Sequence, residues 1–403
     1  MCLDVRKKMI NIEFQHFSLN RILLLAVGLW PYQRTKFVRL RVVLLFSILI
    51  GSIVFQLTPF MTVQLSLDLV VKVFSTMLLL ATFAIKYNSF LVNIQSVKYL
   101  MEQLQRICDE LRDENEIAIL EKYGRDAKRY TINILLLTAT SLVILIVQPL
   151  GRCIYNILPF TNGSRSYCTV PIITEYFIDQ EKYFYIIILH MSAAFSIGTI
   201  ILIATGTWLA VSLKHACGIF KIASYRIERA ITNNSLENSN LKNKIMIYKR
   251  IIFAVEIHRK AMQFAGNVIN RFNSTFFFLI TCGVACLSFN LFRIFQIISF
   301  GKNMEEIILH LLLGIVIIIY MFLANYAGQE ITDHNDHVYL TAYNVCWYIA
   351  PLHVQKLILF LLQRGSKTFS LTVGGLFTAS LECFASLASA SVSYFTVMYS
   401  TQK

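Results

Sequence analysis

A chain of 403 residues has the length of two or three soluble domains at roughly 150 residues each. Its composition excludes that reading: 56% of the residues belong to the AVILMFWYC class, only 15% are charged, and the mean hydropathy is +0.59, an apolar excess that belongs in a bilayer. With 16 Gly, 6 Pro and nine scattered Cys, the chain is not disordered, collagen-like or a disulfide scaffold, and its net charge of +14 has to be located before it is interpreted.

Arg6, Lys7 and Lys8 precede a polar stretch, and the run Ile22 to Gly28 is short and ends in Trp30 and Pro31, so no cleavable signal peptide is expected. Runs near the ~20 residues that cross the hydrocarbon core fall at 40–60, 67–87, 131–150, 183–213, 275–299, 307–327 and 371–399. The expected fold is an all-α membrane protein with seven transmembrane helices. The stretch 346–362 is apolar too, but Trp347, Tyr348, Pro351, His353, Gln355 and Lys356 interrupt it. It reads as a helix docked on protein.

Alternate connecting segments hold 30 and 5 of the 37 Lys and Arg residues, with Lys72 and Arg293 inside spans. By the positive-inside rule the amino terminus is then cytoplasmic and the carboxy terminus extracellular. A G-protein-coupled receptor has the opposite orientation, so the charge count opposes that class. The basic excess reads as a solvated or headgroup-facing cytoplasmic surface, and no nucleic-acid partner is expected.

Two cytoplasmic connections look helical. In 88–129, Phe90, Ile94, Val97, Leu100, Met101, Leu104, Ile107 and Leu111 recur at three and four, and 214–273 behaves likewise around a polar break at Thr232 to Asn240. The outer loop 151–182 carries the N-glycosylation acceptor triplet at Asn162 and two cysteines, Cys153 and Cys168, in an oxidising compartment, either bonded or as free thiols. There is no Gly-rich phosphate loop, no HExxH and no paired CxxC, so neither catalysis nor a cofactor is expected. Asp333, His334, Asp336 and His337 resemble a metal cluster, but they read as a solvated polar turn with no metal.

In the last span Gly375, Ala379, Glu382, Ser386, Ser389, Ser393, Thr396 and Ser400 are spaced alternately by four and three and share one helical stripe. Such a stripe is either a close-packed seam or the wall of a water-filled path, and the second requires several chains around an axis. Val397 lies beside the stripe, where an apolar ring closes a path by dewetting. His190 and His310 fall in the outer halves of spans four and six, as interhelical hydrogen-bond partners or ligand contacts. At that level Phe74, Met77, Leu142, Ile146, Tyr185, Met191, Phe195, Leu311 and Ile315 join His310 as the apolar wall a small volatile ligand needs, although helix packing uses the same residues.

Asn20-Arg21, Gly28-Leu29-Trp30-Pro31-Tyr32-Gln33, Tyr343, Trp347-Tyr348, Gln355-Lys356-Leu357, Gln363-Arg364 and Ser391 to Val397 together resemble the insect odorant receptors of the tuning kind, those of ants, bees and wasps above all. The resemblance covers nearly the whole chain. It implies a subunit of a ligand-gated, non-selective cation channel, a heterotetramer with the odorant co-receptor in the plasma membrane of olfactory neuron dendrites. Its partners are then the co-receptor, a volatile ligand, membrane lipid and the conducted cations.

The same resemblance implies a cytoplasmic segment 1–39, six spans and their extensions over 40–340, a cytoplasmic anchor helix over 341–370 and a pore-lining helix over 371–403. Tyr343, Trp347, Tyr348, Gln355, Lys356 and Leu357 carry the subunit anchor. Glu382, Ser386, Ser389, Ser393 and Thr396 line the pore, Val397 forms its constriction, and Thr401 lies near the outer mouth. The ligand pocket is implied between spans two to six in the outer leaflet. Gustatory-type channels of the same superfamily end differently from Ser393-Tyr394 followed by Gln402-Lys403, and a G-protein-coupled receptor or a transporter is the remaining alternative.

Overall fold

The computed structural model describes residues 16–33, 35–157, 172–180, 182–231, 241–300 and 304–400, the side chains of 148–157, 300, 304 and 305 excepted. Helix α1 (Ser18–Ala26) leads to α2 (Lys36–Leu57), which starts where the Thr35 hydroxyl accepts the Val38 N–H. A single helical turn at Pro59–Thr62 precedes α3 (Leu67–Val92), whose first turn is capped by Ser66 and carries Asp68 at the positive end of the helix dipole. Then come α4 (Ile94–Asp109), α5 (Glu114–Ile157), α6 (Phe184–Ala230), α7 (Leu241–Asn270), α8 (Asn273–Phe300) and α9 (Met304–Asn344). A 3-10 turn at Trp347–Ile349, α10 (Leu352–Gly365), a hairpin of β1 (Thr372–Val373) with β2 (Phe377–Thr378), and α11 (Leu381–Ser400) complete the chain.

Among the described residues seven helices, α2, α3, α5, α6, α8, α9 and α11, are long and apolar enough to cross a membrane, as the hydropathy predicts. Three of them are far longer than a crossing requires. At 44, 47 and 41 residues, α5, α6 and α9 rise roughly 60–70 Å at 1.5 Å per residue, about twice the hydrocarbon thickness. The excess lies at one end, joined by α4, α7, α10 and most of the basic residues; it is called the basic end below. The periodicity over 88–129 is thus α4 and the start of α5, with Val97, Leu100, Leu104 and Ile107 buried. The break at 232–240 lies outside the described residues.

Helix α6 is the hub, packing against α1, α2, α3, α5, α7 and α9 and burying Trp208, Phe220 and Ile222. At the basic end, polar contacts join neighbouring helices: Arg226 donates to both Glu116 oxygens at 2.6 and 2.8 Å, Lys214 meets Glu330 at 2.5 Å, and His258 meets Asn335 at 2.9 Å. The residues Asp333, His334, Asp336 and His337, expected in a solvated turn, lie instead on continuous helix α9. His334 bonds Tyr123 at 2.7 Å and His337 bonds Ser224 at 3.2 Å. Both imidazoles are therefore used in packing, and among the described residues no group of side chains is arranged to hold a metal ion.

Two boundaries move. Residues 341–344 finish α9, so Tyr343 precedes α10, the helix expected to be the anchor, which begins only after Pro351. The last span begins at Leu381 and not at 371, because Gly374 and Gly375, at φ of 64° and 73°, turn the preceding segment back on itself as a hairpin. Hydropathy does not register a backbone reversal inside an apolar run.

Two predictions follow from this packing. His16 is buried beside His215, 2.9 Å away, and burial, with Glu121 opposing it, pushes the His16 imidazole below its ordinary 6.5. A depressed imidazole favours the fold above the unfolded value and loses that contribution as pH falls below about 6.5. Hydrogen exchange of the segment around α1, corrected for intrinsic rate, should rise between pH ~7 and pH ~5, and His16→Gln should reduce the change, the buried His215 keeping its own share. The second concerns Gly328 on α9, where an added Cβ would lie 2.3 Å from the Ala379 Cβ and 2.6 Å from its carbonyl oxygen. Gly328→Ala must therefore push the hairpin off α9, at a cost of about 1–3 kcal/mol, visible as a lower melting temperature in detergent.

Candidate functional site

Helix α11 touches the bundle by one face. Leu387 and Ser391 are buried against α8 and α9, and the Ser288 hydroxyl donates to the Ser391 carbonyl at 3.0 Å. Phe384 meets Phe322 edge-on at 5.4 Å, while Phe395 and Tyr399 meet Phe295 at 5.9 and 4.7 Å. The other face is open: Glu382, Ser386, Ser389, Ser393, Thr396 and Ser400 are exposed, and so is Val397, at 59%. The hydroxyls of Ser393, Thr396 and Ser400 donate back to carbonyls of their own helix at 2.9, 2.7 and 2.8 Å. Each keeps acceptor capacity toward the open side, which suits contact with water or a passing cation. Gly375 and Ala379, placed on this stripe by their spacing, belong to the hairpin region, so the stripe starts at Glu382.

Toward the end opposite the basic one, α3, α8 and α9 share a polar network. Arg293 donates to Asp68 at 2.9 Å, to Gln296 at 2.8 Å and to Glu306 at 2.9 Å, and Lys72 also pairs with Asp68, at 2.7 Å. His310 meets Asn290 at 2.9 Å, and the Asn290 amide donates to the Ser75 carbonyl. In α6, His190 bonds Tyr176 at 2.8 Å. Sequence reasoning named Lys72, Arg293 and His310 but not their partners. The missed signal was opposite charges at matching depths, Asp68 at the start of span two and Glu306 at the start of span six.

The structure buries Met191, Phe195 and His310, half-buries Phe74, Met77, Leu142 and Ile146, and sets Tyr185, Leu311 and Ile315 on the outside of the bundle. Phe74 stacks on Phe289 at 5.8 Å. None of these ten lines either apolar cavity described among the spans. The larger, about 160 Å³, lies nearer the basic end between α5, α6, α8, α9 and the hairpin; an adjoining recess of about 90 Å³ reaches Leu387 of α11.

From α10, Gln355 donates to the carbonyls of Tyr348 and Ala350 at 2.9 and 2.8 Å, fixing the 3-10 turn onto that helix. Helix α10 buries Val354, Ile358 and Leu361 against α7 and α9. Tyr343, Tyr348, Leu352, Leu359 and Phe360 stay exposed, Phe360 at 68%; Lys356 is exposed as well, and Trp347 and Leu357 are half-buried. Asn162, Cys168 and Thr401 lie outside the described residues, as does the side chain of Cys153.

Comparison with known proteins gives a consistent result. The family model described as 7tm Odorant receptor matches residues 66–392. Odorant receptor 10 of Aedes albopictus is 24% identical over 151 residues, covering 37% of this chain, and the matched stretch spans only 39% of that relative's length. Two structures of the insect olfactory receptor OR5 from Machilis hrabei superpose with a TM-score of 0.76. The one in complex with eugenol is 15% identical and covers 96% of this chain and 97% of that one; the other is 16% identical and covers 95% and 97%. At such identity the superposition speaks for the fold, and the family model speaks for descent. With seven spans and a match over most of its length, the chain is a multi-pass membrane protein of the 7tm odorant receptor family, a family of receptors and not of enzymes.

Proposed function

We propose that the chain is the ligand-binding subunit of an odorant-gated, non-selective cation channel, assembled as a tetramer with the odorant co-receptor in the plasma membrane of a sensory dendrite. The observation that supports this most strongly is the one-sided packing of α11. A span that turns Glu382 and a row of hydroxyls away from its own bundle is poorly suited to lipid. Four copies turned inward around an axis instead give those groups water and give Val397 three equivalents with which to form an apolar ring. The basic end faces the cytoplasm, as its Lys and Arg excess favours. There the exposed Tyr348, Leu352, Leu359 and Phe360 meet neighbouring subunits, with Tyr343, Trp347, Gln355, Lys356 and Leu357 around them.

The ligand is a small volatile held in the opposite half of the bundle, among Phe74, Met77, Leu142, Ile146, Met191, Phe195 and His310, with Tyr185, Leu311 and Ile315 at its margin. Eugenol bound to the receptor of the same fold is a molecule of that size and character. Occupancy favours a state in which the α11 helices stand apart, and the shift is bounded by the ligand's difference in affinity for the two states.

Patch-clamp recording from cells expressing the chain with the co-receptor tests this reading. Odorant-evoked cation current independent of G proteins is expected. Signalling only through a second messenger would favour a G-protein-coupled receptor, and substrate uptake without channel conductance a transporter. A hydrophilic thiol reagent should change the current of Ser389→Cys, Ser393→Cys and Val397→Cys and leave Leu387→Cys untouched; the reverse pattern would turn α11 around. Phe360→Glu should lower the yield of tetramer on size exclusion while the monomer keeps its melting temperature.

A further inference from the structure

The cavity of about 160 Å³ near the basic end has no part in the odorant reading, which sets its ligand in the other half of the bundle. Lys86, in the last two turns of α3, stands beside it. The residue is 2% exposed, and its nitrogen lies 4.4 Å from the centroid of the Tyr320 ring. Among the described residues no carboxylate comes within ion-pair distance of that nitrogen and no acceptor within hydrogen-bond distance. A buried ammonium without a counter-charge is costly, and a cation–π contact offsets only part of the cost.

Lys86 is not itself a wall residue; its nitrogen stands directly behind two that are. A methyl group placed on Gly206 would stand 3.8 Å from it and 3.6 Å from the Tyr320 ring, and Gly206 and Tyr320 both form cavity wall. The glycine leaves nothing bulkier between the ammonium and the empty space. Of the other polar groups on the wall, Thr138 donates to the Ile134 carbonyl at 2.7 Å and Asn325 to the Met321 carbonyl at 2.9 Å, while Tyr130 and Tyr320 add two phenol hydroxyls. The remainder is largely aliphatic, Leu202, Ile280, Val316 and Leu323 among it.

We propose that this chamber is a second ligand site that takes a small apolar carboxylate, its head on Lys86 and its body in the cavity and the adjoining recess. A cavity of this volume holds roughly five waters' worth of material and matches the size that admits a benzene ring. That is room for a medium-chain or aryl acid. A phospholipid headgroup would bring ester and phosphate oxygens that one ammonium and aliphatic walls leave unsatisfied. The occupant would touch Leu371, Val373 and Ala379 at the hairpin and Leu387 on α11, so it acts on the helix whose open face carries the hydroxyls.

The test needs no channel current, so its outcome is separate from that of the odorant reading. The full chain is reconstituted in nanodiscs of zwitterionic lipid and titrated with octanoate and with 1-octanol, following the melting temperature and the apparent Kd. Octanoate should bind about tenfold or more tightly than octanol, as expected for a charge-assisted contact. Lys86→Met should erase that difference and leave octanol unaffected. Ala324→Leu, which fills the cavity and keeps the lysine, should weaken both ligands, so the site stays testable if the lysine variant misfolds. Equal affinity for the two ligands in the parent chain, or undiminished octanoate binding by Lys86→Met, overturns the proposal. So does loss of octanoate binding when an anionic phospholipid is included, which would assign the ammonium to a lipid headgroup; unchanged binding supports the carboxylate site.

Discussion

The structure depends on an unequal division of burial among its spanning helices. Half of the most apolar window of α6 is buried within the chain, against 11% for α11. Apolar surface needs no burial in lipid, because hydrocarbon is as good a solvent for leucine as another helix is. What has to be accounted for is polar surface at membrane depth. In α6 it is buried: Thr205, Thr207 and Ser212 are covered by neighbouring helices, and Asn20 of α1 reaches Thr207 at 2.8 Å, whereas the α11 hydroxyls bond back to their own helix but stay uncovered. In α11 it remains open. The exposed row of hydroxyls is a demand for something outside the chain, and that demand gives the solitary subunit the character of one part of an assembly.

The connections to α11 explain how a ligand elsewhere could reach it. On its buried side the helix is held by a hydrogen bond from Ser288 and aromatic contacts from Phe295, both on α8. The same helix carries Asn290 and Arg293, which tie it to α3 and α9. Among the described residues Arg293 Nε is buried without a partner. Removing one member of such a partly desolvated ionic cluster leaves the others uncompensated, which makes the cluster resist small distortions and favours discrete rearrangement. Helix α8 therefore links the half where an odorant is proposed to sit with the helix proposed to line the pore, through contacts packed tightly enough to transmit a shift.

Much of this was readable from the residues alone. The seven spans and their extensions followed from hydropathy and from three-and-four spacing, because both depend only on the order of residues along one helix. The placement of Ser386, Ser389, Ser393 and Thr396 on one face followed for the same reason. What escaped were properties that depend on neighbours. Residues 371–380 were read as the start of a helix although the pair Gly374-Gly375 is a turn signal, because the apolar run was weighed above it. Position along each helix is legible for the pocket candidates, but rotation about its axis is not, so Tyr185, Leu311 and Ile315 lie on the outside. Lys86 ends an apolar run, where a basic residue reads as solvated. Only packing against Tyr320 reveals it as buried.

The surfaces proposed for assembly belong to the last part of the chain: Tyr343, Tyr348, Leu352, Leu359 and Phe360 at the basic end, and the open stripe of α11. The candidates for odorant contact belong to α3, α5, α6 and α9, whose shared framework is the buried face of α6. Such a division separates two kinds of constraint. A substitution at Phe74 or Met191 alters what the bundle can hold and leaves the exposed anchor surface as it was. A substitution at Phe360 or Val397 alters what the subunit can join or gate, whatever it binds. A receptor family that must recognise many small molecules while keeping one way of assembling needs that separation, and here it follows from which helices bury their faces inside the chain and which leave them for another.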